Sequence, residues 1–100
     1  MTTLGTFIRE ADSYTGEFES LTFTPGPARI VPLAARSHAN APNYRVYRGT
    51  AEVGAAWDKT TRDGRAYLTV QLDDPTFPRA IECRLVEAGD RFQLIWSRDR

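Results

Sequence analysis

The chain has 100 residues, with thirteen basic and thirteen acidic side chains, 41% hydrophobic and 26% charged residues. That is the composition of one globular domain with a single core, and it excludes a disordered or fibrous chain. A formal net charge of zero creates no global field to gather polyanions, and no run approaches the ~20 apolar residues of a membrane helix.

The N-terminal stretch "MTTLGTFIREADS" lacks a basic region followed by an apolar run, so it does not read as a secretory signal and a cytoplasmic location is expected. The single cysteine, Cys83, has no internal disulfide partner, which agrees with a reducing compartment. Alternation with a period of two, punctuated by Gly, Pro, Asn and Asp, recurs along the chain, whereas helical periodicity does not. Leu4 to Arg9 and Glu17 to Thr24 read as a first pair of strands joined by the turn "DSYTG". "ARIVPLA" reads as a short strand interrupted by Pro32, since a central strand does not tolerate proline, and a helical turn is expected near "PLAARSHAN".

"NAPNYRVYRG" follows, Asn40 to Gly49. Its first four residues read as a turn and Tyr44 to Arg48 as a strand. Parity puts Tyr44, Val46 and Arg48 on one side, with Val46 inward, and Arg45 and Tyr47 on the other. Ala51 to Lys59 and Arg65 to Asp73 form the clearest hairpin: Ala51, Val53, Ala55 and Trp57 on one inward face, and Ala66, Leu68, Val70 and Leu72 on the other. A two-residue turn at Asp63-Gly64 sets Trp57 opposite Val70 and Ala55 opposite Leu72, so that both apolar faces coincide. A three-residue loop with a bulge would set Trp57 opposite Thr69 and is disfavoured on that ground. In the last hairpin, folding at Ala88-Gly89 aligns Leu85 with Phe92, Cys83 with Leu94 and Ile81 with Trp96. The expectation is therefore an all-β single domain over residues 1–100: a small antiparallel barrel or sandwich of about eight short strands, built from consecutive hairpins.

Charge is unevenly distributed: residues 29–65 carry seven basic residues against Glu52, Asp58 and Asp63. Twelve of the thirteen basic residues are arginine, which suits bidentate recognition of carboxylate or phosphate, although codon composition explains the preference more simply.

Six segments resemble one family: Leu4-Gly5-Thr6-Phe7, Tyr14-Thr15-Gly16, Asn40-Ala41-Pro42-Asn43-Tyr44-Arg45-Val46-Tyr47, Gly54-Ala55-Ala56-Trp57, Leu72-Asp73-Asp74-Pro75-Thr76-Phe77-Pro78, and Leu94-Ile95-Trp96-Ser97-Arg98. Together they resemble a bacterial family known only as domain of unknown function seven hundred and thirty-six, nearly end to end. The resemblance implies a small, cytoplasmic, predominantly β protein carried on plasmids and other mobile elements, with no assigned catalytic residues. This sequence differs from the family pattern at Asp58, where a basic residue is usual, and in stopping soon after "IWSR", where relatives run into a longer basic tail.

Candidate chemistry is sparse. Asp73 and Asp74 with Glu52 could hold a divalent cation only if the chain turns there, because adjacent strand residues face opposite ways; ordinary Asp-Pro turn chemistry is the better reading. His38 stands alone in a polar loop and Cys83 on an apolar strand face, so a structural cysteine is expected in place of a nucleophile. No catalytic residue, cofactor or metal ligand is assigned. Trp57 and Trp96 are read as core. The exposed aromatic and basic residues, Arg45, Tyr47, Arg48, Arg62, Arg65 and Tyr67, are the expected partner-binding set, of the types enriched at interface hot spots.

The expected function is a non-enzymatic protein-interaction module. Mobile-element carriage adds the expectation of an accessory protein or inhibitor that blocks a host defence complex, of the anti-CRISPR or anti-restriction kind. The alternative is a small barrel binding single-stranded nucleic acid by tyrosine stacking and arginine-phosphate contacts. A homodimer through an exposed strand edge is a further expected association.

Overall fold

A computed structural model describes residues 2–19, 26–33, 41–73 and 79–96. Eight strands follow one another: β1 (Thr2–Glu10), β2 (Ser13–Phe18), β3 (Gly26–Pro32), β4 (Tyr44–Arg48), β5 (Ala51–Thr60), β6 (Ala66–Leu72), β7 (Ile81–Ala88) and β8 (Arg91–Trp96). Each pairs antiparallel with its sequence neighbours, and β8 returns to β1 to close a barrel. Of the two architectures expected, the barrel is the one that forms. Closure engages every strand on both sides, so the strand edge expected to mediate a homodimer is already occupied within the chain.

Alternating side chains fill the lumen. Phe7, Phe18, Ile30, Leu72, Leu85, Leu94, Val46 and Val70 are the largest fully buried side chains, and no polar or charged residue is buried among the described residues. Phe7 and Phe18 meet edge to face, with ring centroids 6.2 Å apart. Outward positions such as Arg29, Lys59, Gln71, Glu82, Arg84 and Gln93 are exposed. This polar-out alternation is the reverse of that of a lipid-facing barrel. No helix among the described residues is long and apolar enough to cross a membrane.

Small residues let so narrow a cylinder close. A Cβ at Gly16 would fall on the Thr6 carbonyl oxygen and lie 2.8 Å from the Phe7 Cα, so the backbones of β1 and β2 approach there as only glycine allows. Bulges adjust the curvature. The register of β1 on β8 shifts between Thr3 and Gly5, and that of β4 on β5 between Val46 and Tyr47, where Gly54 pairs with Val46 and Glu52 with Tyr47. The extra residues, Leu4 and Val53, are both buried in the core.

The bulge at Val53 overturns the expected β5–β6 register. Beyond it the inward parity of β5 changes: Gly54, Ala56 and Asp58 stand opposite Leu72, Val70 and Leu68, while Trp57 pairs with Thr69 on the outer face. Trp57 is therefore half-buried on the outside of the barrel and is not a core residue. The loop is the disfavoured three-residue one, Arg62 to Gly64: the Gly64 N–H donates to the Thr61 carbonyl at 3.1 Å and Gly64 has φ +89°. That combination is a tight turn followed by a left-handed glycine. Tyr67 lies opposite Lys59.

The last hairpin shifts by two residues. Its turn is Gly89-Asp90, so Leu85 faces Leu94 and Glu87 faces Phe92. An even shift leaves every side chain on its expected face, and Cys83, Leu85 and Leu94 are buried as read. The first hairpin turns at Ala11-Asp12, with Ala11 at φ 54°, and most of the expected turn "DSYTG" lies within β2. β4 spans the expected residues, and Pro32 is the last residue of β3. The expected helical turn falls mostly at residues 34–40, outside the described residues, as do His38 and Asp74.

Candidate functional site

The β1–β2, β5–β6 and β7–β8 turns lie at one end of the barrel, together with the end of β3 at Pro32 and the start of β4 at Tyr44. A cavity of about 710 Å³ opens there. By register its inner wall takes Arg9 from β1, Tyr14 from β2, Tyr44 from β4, Asp58 from β5, Leu68 from β6, Leu85 and Glu87 from β7, and Phe92 from β8.

Three rings form its floor. Tyr14 meets Tyr44 with centroids 6.1 Å apart and Phe92 with centroids 5.1 Å apart, both edge to face. β2 neighbours neither β4 nor β8, so these contacts cross the lumen and cap the hydrophobic core. Placement follows from parity: Tyr14 stands opposite Ile30, and Tyr44 opposite both Pro32 and Ala56, the last inward positions before the strands run into their loops.

Charged groups stand above the rings. The Arg9 guanidinium carbon lies 5.7 Å from the Tyr14 centroid, and its Nε–H donates to the Ala11 carbonyl at 3.3 Å. Asp58 is held by its own backbone, whose N–H donates to Asn43 Oδ1 at 2.9 Å. Its carboxylate accepts from the Tyr44 hydroxyl. Among the described residues, ion pairs join Arg45 to Glu52 and Arg91 to Asp90, and neither involves Asp58 or Glu87.

The electrostatics of the floor follow. Burial pushes the Tyr14 phenol up from its ordinary value; Arg9 opposes this, and Asp58 and Glu87 add to it. Burial likewise raises Tyr44, reinforced by the Asp58 charge and the hydrogen bond to it. Both phenols are neutral near pH 7 and offer π faces and hydroxyl donors. Neither is poised to act as a base.

The expected partner-binding residues do not gather on one surface. Arg45 and Tyr47 lie on the outer wall of β4. Arg45 pairs with Glu52 at 3.2 Å and Tyr47 stacks under Arg29 at 5.2 Å. Arg48 faces inward at the opposite end, passing over Gly26, where a Cβ would lie 3.2 Å from its Nη2. Arg62 and Arg65 are exposed in the β5–β6 loop, and Tyr67 stacks under Arg84 at 5.7 Å on the outer face of β6. The Tyr67 row stands four residues along β5 from the Arg45 row, roughly 13 Å. Only Arg65 and Tyr67 of the six line the mouth.

Reading the chain strand by strand missed Arg9, Tyr14, Asp58, Glu87 and Phe92. Their signal was a polar residue at an inward parity position near a turn: Arg9, Asp58 and Glu87 each interrupt an apolar inward series near its loop end. Cys83 belongs to the core. Its thiol is 3% exposed and pushed up to about 12, first by burial and then by the Glu82 charge, so it is not a nucleophile. Asp73 is exposed while Glu52 is paired with Arg45, and among the described residues no group of three or more His, Cys, Asp or Glu side chains could hold a metal ion.

No curated protein and no solved structure matches the chain. A family model described as "Protein of unknown function (DUF736)" matches residues 3–99, and with nearly the whole chain covered, the protein belongs to that family.

Proposed function

We propose that this protein is a non-enzymatic protein-interaction module whose contact surface is the barrel mouth and its β5–β6 rim. One observation carries the reading: a cavity of about 710 Å³, floored by Tyr14, Tyr44 and Phe92, opens beside exposed arginines and Tyr67. Clustered aromatic rings with an arginine rim are the side chains that dominate interface energetics. A closed barrel whose core holds no polar or charged residue among the described residues is a preorganised scaffold, which supports binding at low ordering cost. The neutral phenols and the buried thiol suit recognition better than catalysis.

The partner class suggested by family resemblance is a host defence complex, with this protein as its inhibitor in the bacterial cytoplasm. Co-purification from bacterial lysate tests the reading. The unaltered protein should retain a defined partner, and Tyr67→Ala combined with Arg65→Ala should lose it while keeping the same unfolding midpoint. Retention of single-stranded oligonucleotides, with a salt-dependent affinity and no protein captured, would favour the nucleic-acid alternative. The outer patch of Arg45 and Tyr47 is tested in the same way; loss of partner only with Arg45→Ala and Tyr47→Ala would move the contact surface to the wall of β4.

A further inference from the structure

We infer that the mouth cavity is a binding site for a small zwitterion bearing an aromatic group, a molecule with the chemistry of a free aromatic amino acid. The proposal goes beyond the protein-interaction reading: it concerns the occupant of the cavity and does not depend on what meets the rim.

Opposite charges share one lining without neutralising each other. Arg9, Arg65 and Arg84 line the cavity together with Asp58 and Glu87. The ion pairs among the described residues, Arg45 with Glu52 and Arg91 with Asp90, involve none of these five. Two of the guanidinia are held over rings, Arg9 at 5.7 Å from the Tyr14 centroid and Arg84 at 5.7 Å from that of Tyr67. The carboxylates come from β5 and β7, the strands on either side of β6. Glu10, Asp12, Asp63 and Asp90 are exposed at the same end of the barrel, but none of them lines the cavity.

The lining combines inner and outer side chains because one ladder stops early. Pairing of β6 with β7 ends at Leu68 with Leu85, although β6 begins at Ala66 and β7 continues to Ala88. Beyond that pair the cavity follows both chains, taking the consecutive residues 65–68 and 84–87. Strand neighbours point alternately inward and outward, so Glu87 on the lumen side and Tyr67 and Arg84 on the outer side border the same space.

Each part of the lining selects a part of the ligand. Tyr44 and Phe92, inclined to Tyr14 at 64° and 77°, offer faces and edges against which an aromatic ring packs. An ammonium group answers Asp58 and Glu87, and a carboxylate answers the guanidinia in the bidentate manner of arginine. A purely anionic ligand would displace water from the two carboxylates without compensating them, and a purely cationic one would do the same to the arginines. A molecule bearing both signs satisfies the whole lining, so the charge pattern discriminates as well as attracts. The cavity, about 710 Å³, has the size of a small-molecule site, and barrel mouths are among the places where such sites occur.

The probe is L-tryptophan, titrated against the full chain at low salt while the ring resonances of Tyr14, Tyr44 and Phe92 are followed by NMR. Saturable shifts of these rings are expected. Tryptamine, which lacks the carboxylate, indole-3-propionate, which lacks the ammonium, and L-alanine, which lacks the ring, should each bind weaker by roughly tenfold or more. Asp58→Asn should shrink the preference for L-tryptophan over indole-3-propionate, and Arg65→Ala the preference over tryptamine. Arg45→Ala, on the outer wall of β4, should bind as the unaltered protein does. If Asp58→Asn loses amide dispersion, Glu87→Gln, at an exposed position, takes its place. Absence of ring shifts, equal binding of the three indoles, or unchanged preferences in the folded variants overturns the inference, as does saturation of the same rings by adenosine monophosphate but not by L-tryptophan. Capture of a protein partner without tryptophan binding would end this proposal and leave the protein-interaction reading standing.

Discussion

Cys83 makes the chemistry of the core measurable. Its thiol sits on the inner face of β7 opposite Val70, and burial raises its pKa from 9.0 to about 12. A raised acid contributes stability that is complete below the unfolded value, near pH 9, and is lost as pH climbs toward the folded one. Between about pH 9 and pH 11 the unfolded chain ionises its thiol while the folded chain keeps the proton. At about 1.4 kcal/mol per pH unit the folded state gives up roughly 2.5 kcal/mol over that interval. Urea unfolding under a reductant at several pH values reads the effect: with a slope of about 2 kcal/mol per molar, the midpoint falls by about 1 M more in the unaltered protein than in Cys83→Ala. The alanine variant has no thiol to ionise, so it starts lower by about 1 kcal/mol for the lost packing and then declines more gently. The difference between the two curves cancels the alkaline contributions of Tyr14 and Tyr44, which are also raised. Parallel curves would falsify the reasoning, since they require a thiol as easily ionised in the barrel as in the open chain.

Three other outcomes are expected. Gly16→Ala forces a Cβ onto the Thr6 carbonyl and the Phe7 backbone, and should cost about 3 kcal/mol of unfolding free energy, because two paired strands must separate; a cost below about 1 kcal/mol means the barrel wall yields there. Ala11→Gly relieves the left-handed φ of 54° at the first hairpin and should stabilise by up to about 1 kcal/mol, whereas Ala11→Val should destabilise by a similar amount in thermal unfolding. Asp58→Asn should lower the Tyr44 pKa, followed by NMR titration of its ring, without returning it to 10.0, because burial, the largest cause, is untouched; an unmoved titration would place the carboxylate away from that hydroxyl.

Much of the architecture was readable from alternation. Val46 with Ile30, and Leu85 with Leu94, are inward because every second residue of a strand shares a face, and the apolar ones among them must leave water. The shift at Gly89-Asp90 did no harm to that reading, since it is even. Trp57 shows where alternation breaks down: one added residue at Val53 reverses parity for the rest of β5, and no local pattern announces a bulge. The mouth was harder still. Arg9, Asp58 and Glu87 look like ordinary strand-end charges until closure carries three separate hairpins to the same opening.

From the order of its residues alone, this chain is determined to be all-β, with most of its strands at nearly their observed places but β2 at Ser13–Phe18 where a turn was expected, its single cysteine in the core, and membership of its family carried by motifs spread from end to end. These properties depend on short-range chemistry: turn residues, parity and the burial of apolar faces. Only the tertiary structure decided that the sheet closes on itself, that Arg45 and Tyr47 stand apart from Arg65 and Tyr67, and that Tyr14, Tyr44 and Phe92 meet across the lumen. The physical reason is that closure, bulges and inter-hairpin register are set by backbone contacts between segments as far apart as Thr2 and Trp96, which no local window of sequence contains.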